Sequence, residues 1–164
     1  YIVGQVVRDS SGGYRVEPNL VLTRDNSLVQ PLGVFRVGKP DQAAAAISKE
    51  FREAQKQYDA EKNCVRNARE KKYGEAITAA RRGIAEYPKA TLARICLANV
   101  YIDQRDAAQN PGVKAAYNDS ASAIAREILA VDPLSRRALT IQYDALKAKN
   151  DPSAIDVLLA LAAA

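Results

Sequence analysis

The chain reads as a mainly α protein: an α-solenoid, a stack of helix pairs, preceded by a short β-rich or extended N-terminal arm. Three observations predict this. Apolar residues are 48% of the 164, yet aromatics are only 6% and alanine makes up much of the remainder, a composition suited to closely packed helices. Residues 42–73 run without a glycine or proline. Pro88 and Pro133 each follow an alanine by twelve residues, Ala76 and Ala121, and each closes an apolar helical stretch.

Residues 1–40 differ from the rest and form the arm. They hold five of the eight glycines and the β-branched runs Tyr1-Ile2-Val3, Val6-Val7, Val21-Leu22-Thr23 and Val34-Phe35-Arg36-Val37. Ser10-Ser11-Gly12-Gly13 reads as a hairpin loop, and Asp25-Asn26-Ser27 as a second turn. Two or three short strands are expected, leaning on the helical body or on a partner, because isolated hairpins are marginal in water.

Residues 41–164 form the helical domain. Lys39-Pro40-Asp41 marks the boundary, with Asp41 as N-cap. From Gln42 to Tyr73 the stripe Ile47, Phe51, Ala54, Tyr58, Val65, Ala68 predicts an amphipathic helix of about 30 residues, or about 45 Å. No breaker divides it, although its first half also reads as a separate helix. The next helix, 75–86, carries Ala76, Ile77, Ala80 and Ile84 and stops at Tyr87-Pro88. Residues 91–103 are apolar on most sides, as a central helix should be. After a loop at 106–112, Asn110-Pro111 reads as N-cap and first turn of a helix running to Val131. Helices at 135–149 and 154–164 complete the chain, separated by the turn Asn150-Asp151-Pro152-Ser153. In the last one Val157, Leu158, Leu159 and Leu161 call for a capping element.

The composition argues against chemistry. There is no histidine, which removes the commonest general base and metal ligand. Two cysteines cannot make a four-ligand zinc site of sulfur and nitrogen. Gly12-Gly13 lacks the lysine and helix of a phosphate loop, and the carboxylates share no common face. The expectation is therefore no catalytic residues, no metal and no cofactor. The net charge of +5 is spread along the chain, which favours a solvated surface of mixed sign over a nucleic-acid site. Arg66, Arg69, Lys71, Lys72, Arg81 and Arg82 are the densest basic cluster; a solvated edge paired with Glu70, Glu75 and Glu86 is favoured over a site for an acidic peptide, phosphate or lipid. No apolar run is long enough to span a membrane. The chain begins at Tyr1 without an initiator methionine, so a removed targeting segment or a longer parent protein is expected.

The segment Tyr73-Gly74-Glu75-Ala76-Ile77, with Gly83 and the closing Pro88, resembles the second helix of a tetratricopeptide repeat. Leu97, Ala98 and Tyr101 resemble the leucine, small residue and tyrosine of the first helix in the following repeat. Ala121 and Pro133 match in a second copy, and Ala154-Ile155 fits a third. The resemblance covers roughly residues 57–164. It departs from the pattern at Asn63 and Asn67, where large apolar residues are usual, and between the two prolines, which are 45 residues apart.

The resemblance implies about three helix pairs stacked so that each buries its neighbour's apolar face. It also implies a concave partner-binding face made of Tyr58, Glu61 and Val65 with Leu92, Ile95, Asn99 and Ile102. Asn99 resembles the asparagine with which some family members grip a terminal carboxylate, but the accompanying lysines are not evident. Cys64 and Cys96 lie 32 residues apart, close to one repeat, where neighbouring first helices run side by side; a disulfide and two free buried thiols are both compatible.

The expected function is a non-enzymatic protein–protein interaction scaffold that holds or stabilises a larger assembly. Its partners would be other protein subunits, with self-association as the alternative: a filament or ring subunit of an extracytoplasmic or membrane-associated complex. An anionic-lipid or nucleic-acid surface module is the third reading. The start and the cysteine pair favour the bacterial periplasm or cell exterior over the cytoplasm.

Overall fold

A computed structural model of the chain describes residues 1–10 and 12–164. Ser11, within the expected Ser10–Gly13 loop, lies outside the described residues. The protein is mainly helical, with an N-terminal antiparallel sheet followed by seven helices among the described residues.

The sheet has four strands. β1 (Ile2–Arg8) and β2 (Tyr14–Val21) form a hairpin in unbroken register from Ile2↔Leu20 to Arg8↔Tyr14. Gly12 takes a φ of +89° in the connecting loop, a conformation open to glycine at little cost. The other edge of β2 is shared. β3 (Val29–Pro31) pairs with residues 19–21 and β4 (Phe35–Val37) with residues 14–16. β2 alternates in burial, with Val16, Pro18 and Leu20 facing the helices. The sheet is thus more extensive than the two or three strands expected, because β2 is long enough to serve two short partners on one edge. The turn at Asp25-Asn26-Ser27 is present: Leu28 N donates to Asp25 O at 3.0 Å.

The helices are α1 (Pro40–Gln55), α2 (Tyr58–Arg69), α3 (Tyr73–Glu86), α4 (Thr91–Ala107), α5 (Pro111–Val131), α6 (Arg136–Lys147) and α7 (Ala154–Ala163). Two corrections concern the first of them. The N-cap position is Lys39, not Asp41; Pro40 occupies the first turn, where its missing N–H costs nothing. The Gln42 side chain completes the cap by accepting from the backbone N–H of Gly38 and Lys39 at 3.0 and 3.2 Å. The continuous 42–73 reading fails as well. The helix divides at Lys56-Gln57, where the Gln57 side chain is drawn into a buried hydrogen-bond network described below. Asn110 does cap α5, its Oδ1 accepting from Gly112 and Val113 N–H at 2.8 and 3.2 Å.

From α2 onward each helix packs on the next, and α2 also meets α4, as α4 meets α6. Alanine makes this close approach feasible. Ala76 and Ala80 of α3 are fully buried beside Cys64, Cys96, Leu97 and Val100. Ala98, Ala121, Ala125 and Ala138 do the same beside Ile95, Ile128 and Ile141 where α4, α5 and α6 meet. A third cluster joins the sheet to the helices: Leu20 and Leu32 pack with Ala54, Tyr87, Ala90 and Ala93, backed by Ile47, Phe51 and Ile84. The arm and the helical domain therefore share a core. No helix among the described residues is long and apolar enough to cross a membrane.

Gly83 tests how tight the packing is. A methyl group there would stand 2.9 Å from Ala60 Cβ and 3.2 Å from Ala93 Cβ, both fixed to helix backbones. On an exposed helix Gly→Ala gains about 1 kcal/mol. Here overpacking outweighs that gain, and Gly83→Ala is expected to lower stability by about 1–2 kcal/mol. A urea unfolding midpoint equal to or above that of the parent would show instead that α2, α3 and α4 can move apart.

Candidate interaction surfaces

The face that the sequence assigns to a partner is built mainly from α2 and α4, and the chain's own arm covers its middle. Glu61 is 2% exposed, and its Oε1 is paired with the Arg24 guanidinium from the turn after β2. Leu92 is buried, lining a cleft of about 330 Å³ with Tyr1, Leu20, Leu22, Phe51 and Tyr58. Ile95 is buried in the α4–α5–α6 cluster, against which Leu28 of the arm packs. Three of the seven expected contact residues are therefore sealed. A partner reaching Glu61 has first to displace Arg24, Leu92 is met only at the floor of the cleft, and Ile95 lies within the helices' own cluster.

The remaining four are at its margins. Tyr58 is exposed, with the Lys62 ammonium 5.5 Å from its ring centroid. Val65 is half-buried and borders a recess of about 340 Å³ together with Arg24, Lys62, Arg66, Arg69 and Glu70. Asn99 Oδ1 accepts from Arg137 of α6 at 2.9 Å. Ile102 packs half-buried against the α4–α6 core. The basic cluster read from sequence is divided. Lys72 pairs with Glu70 at 2.8 Å and Arg82 with Glu86 at 3.7 Å, whereas Arg66 and Arg69 turn toward the recess.

Side chains far apart in sequence hold the arm in place. Gln30 of β3 is fully buried. Its Nε2 donates to the carbonyls of Pro31 and Lys89 at 2.8 and 3.0 Å. Its Oε1 accepts from Thr91 N at 2.7 Å, Thr91 Oγ1 at 2.9 Å and Gln57 Nε2 at 2.8 Å. Gln57 Oε1 in turn accepts from Ala93 N at 3.2 Å. Thus Gln30 of the arm and Gln57 at the α1–α2 joint satisfy orphan N–H groups at the start of α4, which the Ala90 side chain at the N-cap position cannot. Sequence reasoning missed Gln30, Gln57 and Thr91. Their signal is faint: a glutamine inside a β-branched run, and another at a helix position that should face solvent.

The ionisable groups here are tuned by local contacts. The Ser27 hydroxyl, then its backbone N–H, donate to the Asp25 carboxylate and hold it below the usual range, with Arg137 and Arg24 adding to the effect. Burial pushes the Tyr87 hydroxyl up, helped by Glu50 and Glu53. Burial also raises Asp132, against the pull of the Leu134 N–H.

Cys64 and Cys96 form a disulfide with Cα atoms 6.4 Å apart, tying α2 to α4 inside the core. On the far side, α5 and α6 are joined by buried polar contacts: Asn118 Nδ2 donates to Ala145 O at 3.2 Å, and Ser122 Oγ to Gln142 Oε1 at 2.9 Å. α7 packs chiefly on α6 and buries no residue fully. Ile155, Leu158 and Leu159 are exposed along its outer face, at i, i+3 and i+4, with Leu159 65% exposed. The strand β1 is exposed at every position.

Compared with protein-family models, with curated proteins and with solved structures, the chain has no match.

Two substitutions probe how the arm is held. Gln30→Ala strands Thr91 N–H and the Gln57 amide in the core and is expected to cost about 3 kcal/mol. Hydrogen exchange at Thr91 and across β3 should quicken well beyond the change in global stability; slowed or unaltered exchange there would mean that the apolar contacts alone hold the arm. Arg24→Ala leaves the Glu61 carboxylate buried without its cation, for an expected loss of about 2 kcal/mol, most of it regained in Arg24→Ala/Glu61→Leu. Equal chemical-denaturation midpoints for Arg24→Ala and its parent would contradict this role.

Proposed function

We propose that the chain is a non-enzymatic protein–protein interaction scaffold of the tetratricopeptide-repeat type, in which α2–α3, α4–α5 and α6–α7 are three stacked helix pairs. One observation carries this reading. The helices pack in chain order, and the first helices of successive pairs, α2 with α4 and α4 with α6, also touch. That is the nearest-neighbour pattern of a one-dimensional stack. Gly83 and the alanines at the helix crossings supply the small residues such a stack uses.

The arm shifts where a partner binds. With the centre of the α2–α4 face covered, the outer face of α7 is the apolar helix surface offered to another protein subunit. Ile155, Leu158 and Leu159 form a helix face that α6 leaves uncovered. The disulfide favours an extracytoplasmic setting, where such a bond persists.

The architecture and the function are tested separately. In a stack, native-state hydrogen exchange should grade along the chain, with α6 and α7 opening at lower free energy than α4. A single opening energy for all helices would make the protein one cooperative bundle and remove the repeat reading. For function, the intact immobilised protein should retain a discrete subunit from its native extract. Leu158→Asp/Leu159→Asp should bind that subunit at least about ten-fold more weakly with an unchanged unfolding midpoint. Equal retention by both forms, or none by the parent, would overturn docking at α7.

A further inference from the structure

β1 is the outermost strand of the sheet; among the described residues it pairs with β2 on one side and with no strand on the other. The direction of its hydrogen bonds follows from one pair. Tyr1 and Val21 exchange both, with Tyr1 N donating to Val21 O at 3.0 Å and Val21 N to Tyr1 O at 2.9 Å. Odd-numbered residues of β1 therefore bond inward to β2. The N–H and C=O groups of Ile2, Gly4, Val6 and Arg8 point outward from the free edge.

Nothing guards this edge. Folded proteins blunt such strands with prolines, bulges or inward-facing charges. β1 has no proline, its register with β2 is unbroken, and its only charged residue is Arg8 at the far end. Ile2, Val3, Val6 and Val7 are all exposed, Val6 at 58%. All seven residues of the strand being exposed, the helical body does not reach under it, so a second body has room alongside.

The order of residues says what kind of strand fits. In Ile-Val-Gly-Gln-Val-Val-Arg a valine stands two residues to either side of Gln5. Laid antiparallel on itself with Gln5 opposite Gln5, Val3 faces Val7, Gly4 faces Val6 and Ile2 faces Arg8. Each outward-pointing residue then meets another, since Ile2, Gly4, Val6 and Arg8 pair among themselves, giving about eight backbone hydrogen bonds. Valine meets valine on one face; on the other, Gly4 leaves room for Val6, and Ile2 lies along the aliphatic stem of Arg8. Charge selects this direction too. Antiparallel pairing places the two Arg8 side chains at opposite ends, roughly 20 Å apart, whereas in-register parallel pairing would set them side by side.

We propose that β1 is a homodimerisation edge, through which two copies of the chain join their sheets antiparallel about a two-fold axis at Gln5. The pairing closes on itself and uses up both edges, so it produces a dimer and not a filament. It does not depend on the scaffold reading: a monomeric protein would leave capture at α7 untouched, and loss of that capture would leave the dimer intact.

The parity of the strand supplies the test. Val6→Pro removes an outward N–H while sparing the ladder to β2, because Val6 does not donate to β2. Val3→Lys/Val7→Lys alters two exposed residues and sets like charges opposite one another. Analytical ultracentrifugation of the intact protein should show a monomer–dimer equilibrium, with each variant dissociating at least about ten-fold more readily. Gln5→Cys should form a disulfide-linked dimer under mild oxidation, since facing residues in a non-hydrogen-bonded pair lie about 4.5 Å apart at Cα, within disulfide reach. Adding Val6→Pro should abolish that cross-link. The parent sedimenting as a monomer at sub-millimolar concentration, including one whose β1 instead pairs with a different protein, would overturn the proposal. So would dimerisation of both edge variants at parental strength. A dimer that both variants disrupt but Gln5→Cys fails to cross-link would overturn the Gln5 register.

Discussion

The structure depends on one buried amide. Gln30 is fully enclosed, and its side chain serves five partners drawn from the arm, the α1–α2 joint and the start of α4. In a low-dielectric interior such a network is stabilising when complete and costly when any member is lost. It also fixes register. A one-residue slip of β3 would turn Gln30 to the opposite face and leave Thr91 and Gln57 unsatisfied. The sheet is therefore an integral part of the helical body rather than a loose appendage. Its position determines which parts of α2 and α4 meet solvent.

The rest of the core follows a different logic. Where helices cross, alanines such as Ala76, Ala98, Ala121 and Ala138 alternate with larger residues such as Leu97, Ile128 and Ile141 that fill the space between. Gly83 marks one such close crossing, with Ala60 and Ala93 standing against it. The Cys64–Cys96 disulfide ties two helices that already share a core, so it constrains the unfolded chain more than it shapes the folded one. Between them these features give a well-sealed middle and two unsealed ends. β1 offers backbone hydrogen bonds and valine side chains at one end, and α7 offers an apolar helix face at the other. The two surfaces differ in kind, and each suits a different association.

Signals that act within a turn or two were legible from the residues. Pro88 and Pro133 end helices because a residue before proline avoids the helical region. Asn110 caps α5 because its short side chain reaches the next free N–H groups. The β-branched runs became strands, and the end of the chain became a helix with an apolar face left over. The face expected to meet a partner was legible only as a position on the helices. Glu61, Leu92 and Ile95 do lie on α2 and α4, but nothing within those helices reveals that Arg24 and Leu28 will cover them.

What the linear order of residues leaves open is therefore specific. The division at Lys56-Gln57, the four-stranded sheet and the sealing of the α2–α4 face all rest on contacts between residues far apart in the chain. Gln57 meets Gln30 across 27 positions, Arg24 meets Glu61 across 37, and Thr91 meets Gln30 across 61. Helix propensity, capping and proline geometry are properties of neighbouring residues, so they set the elements before any tertiary contact forms. Which surfaces stay open is a property of how those elements close on one another. Here Arg24 and Leu28, between β2 and β3, close over Glu61 and the Ile95 cluster, and the buried Gln30 of β3 anchors that segment to the helices.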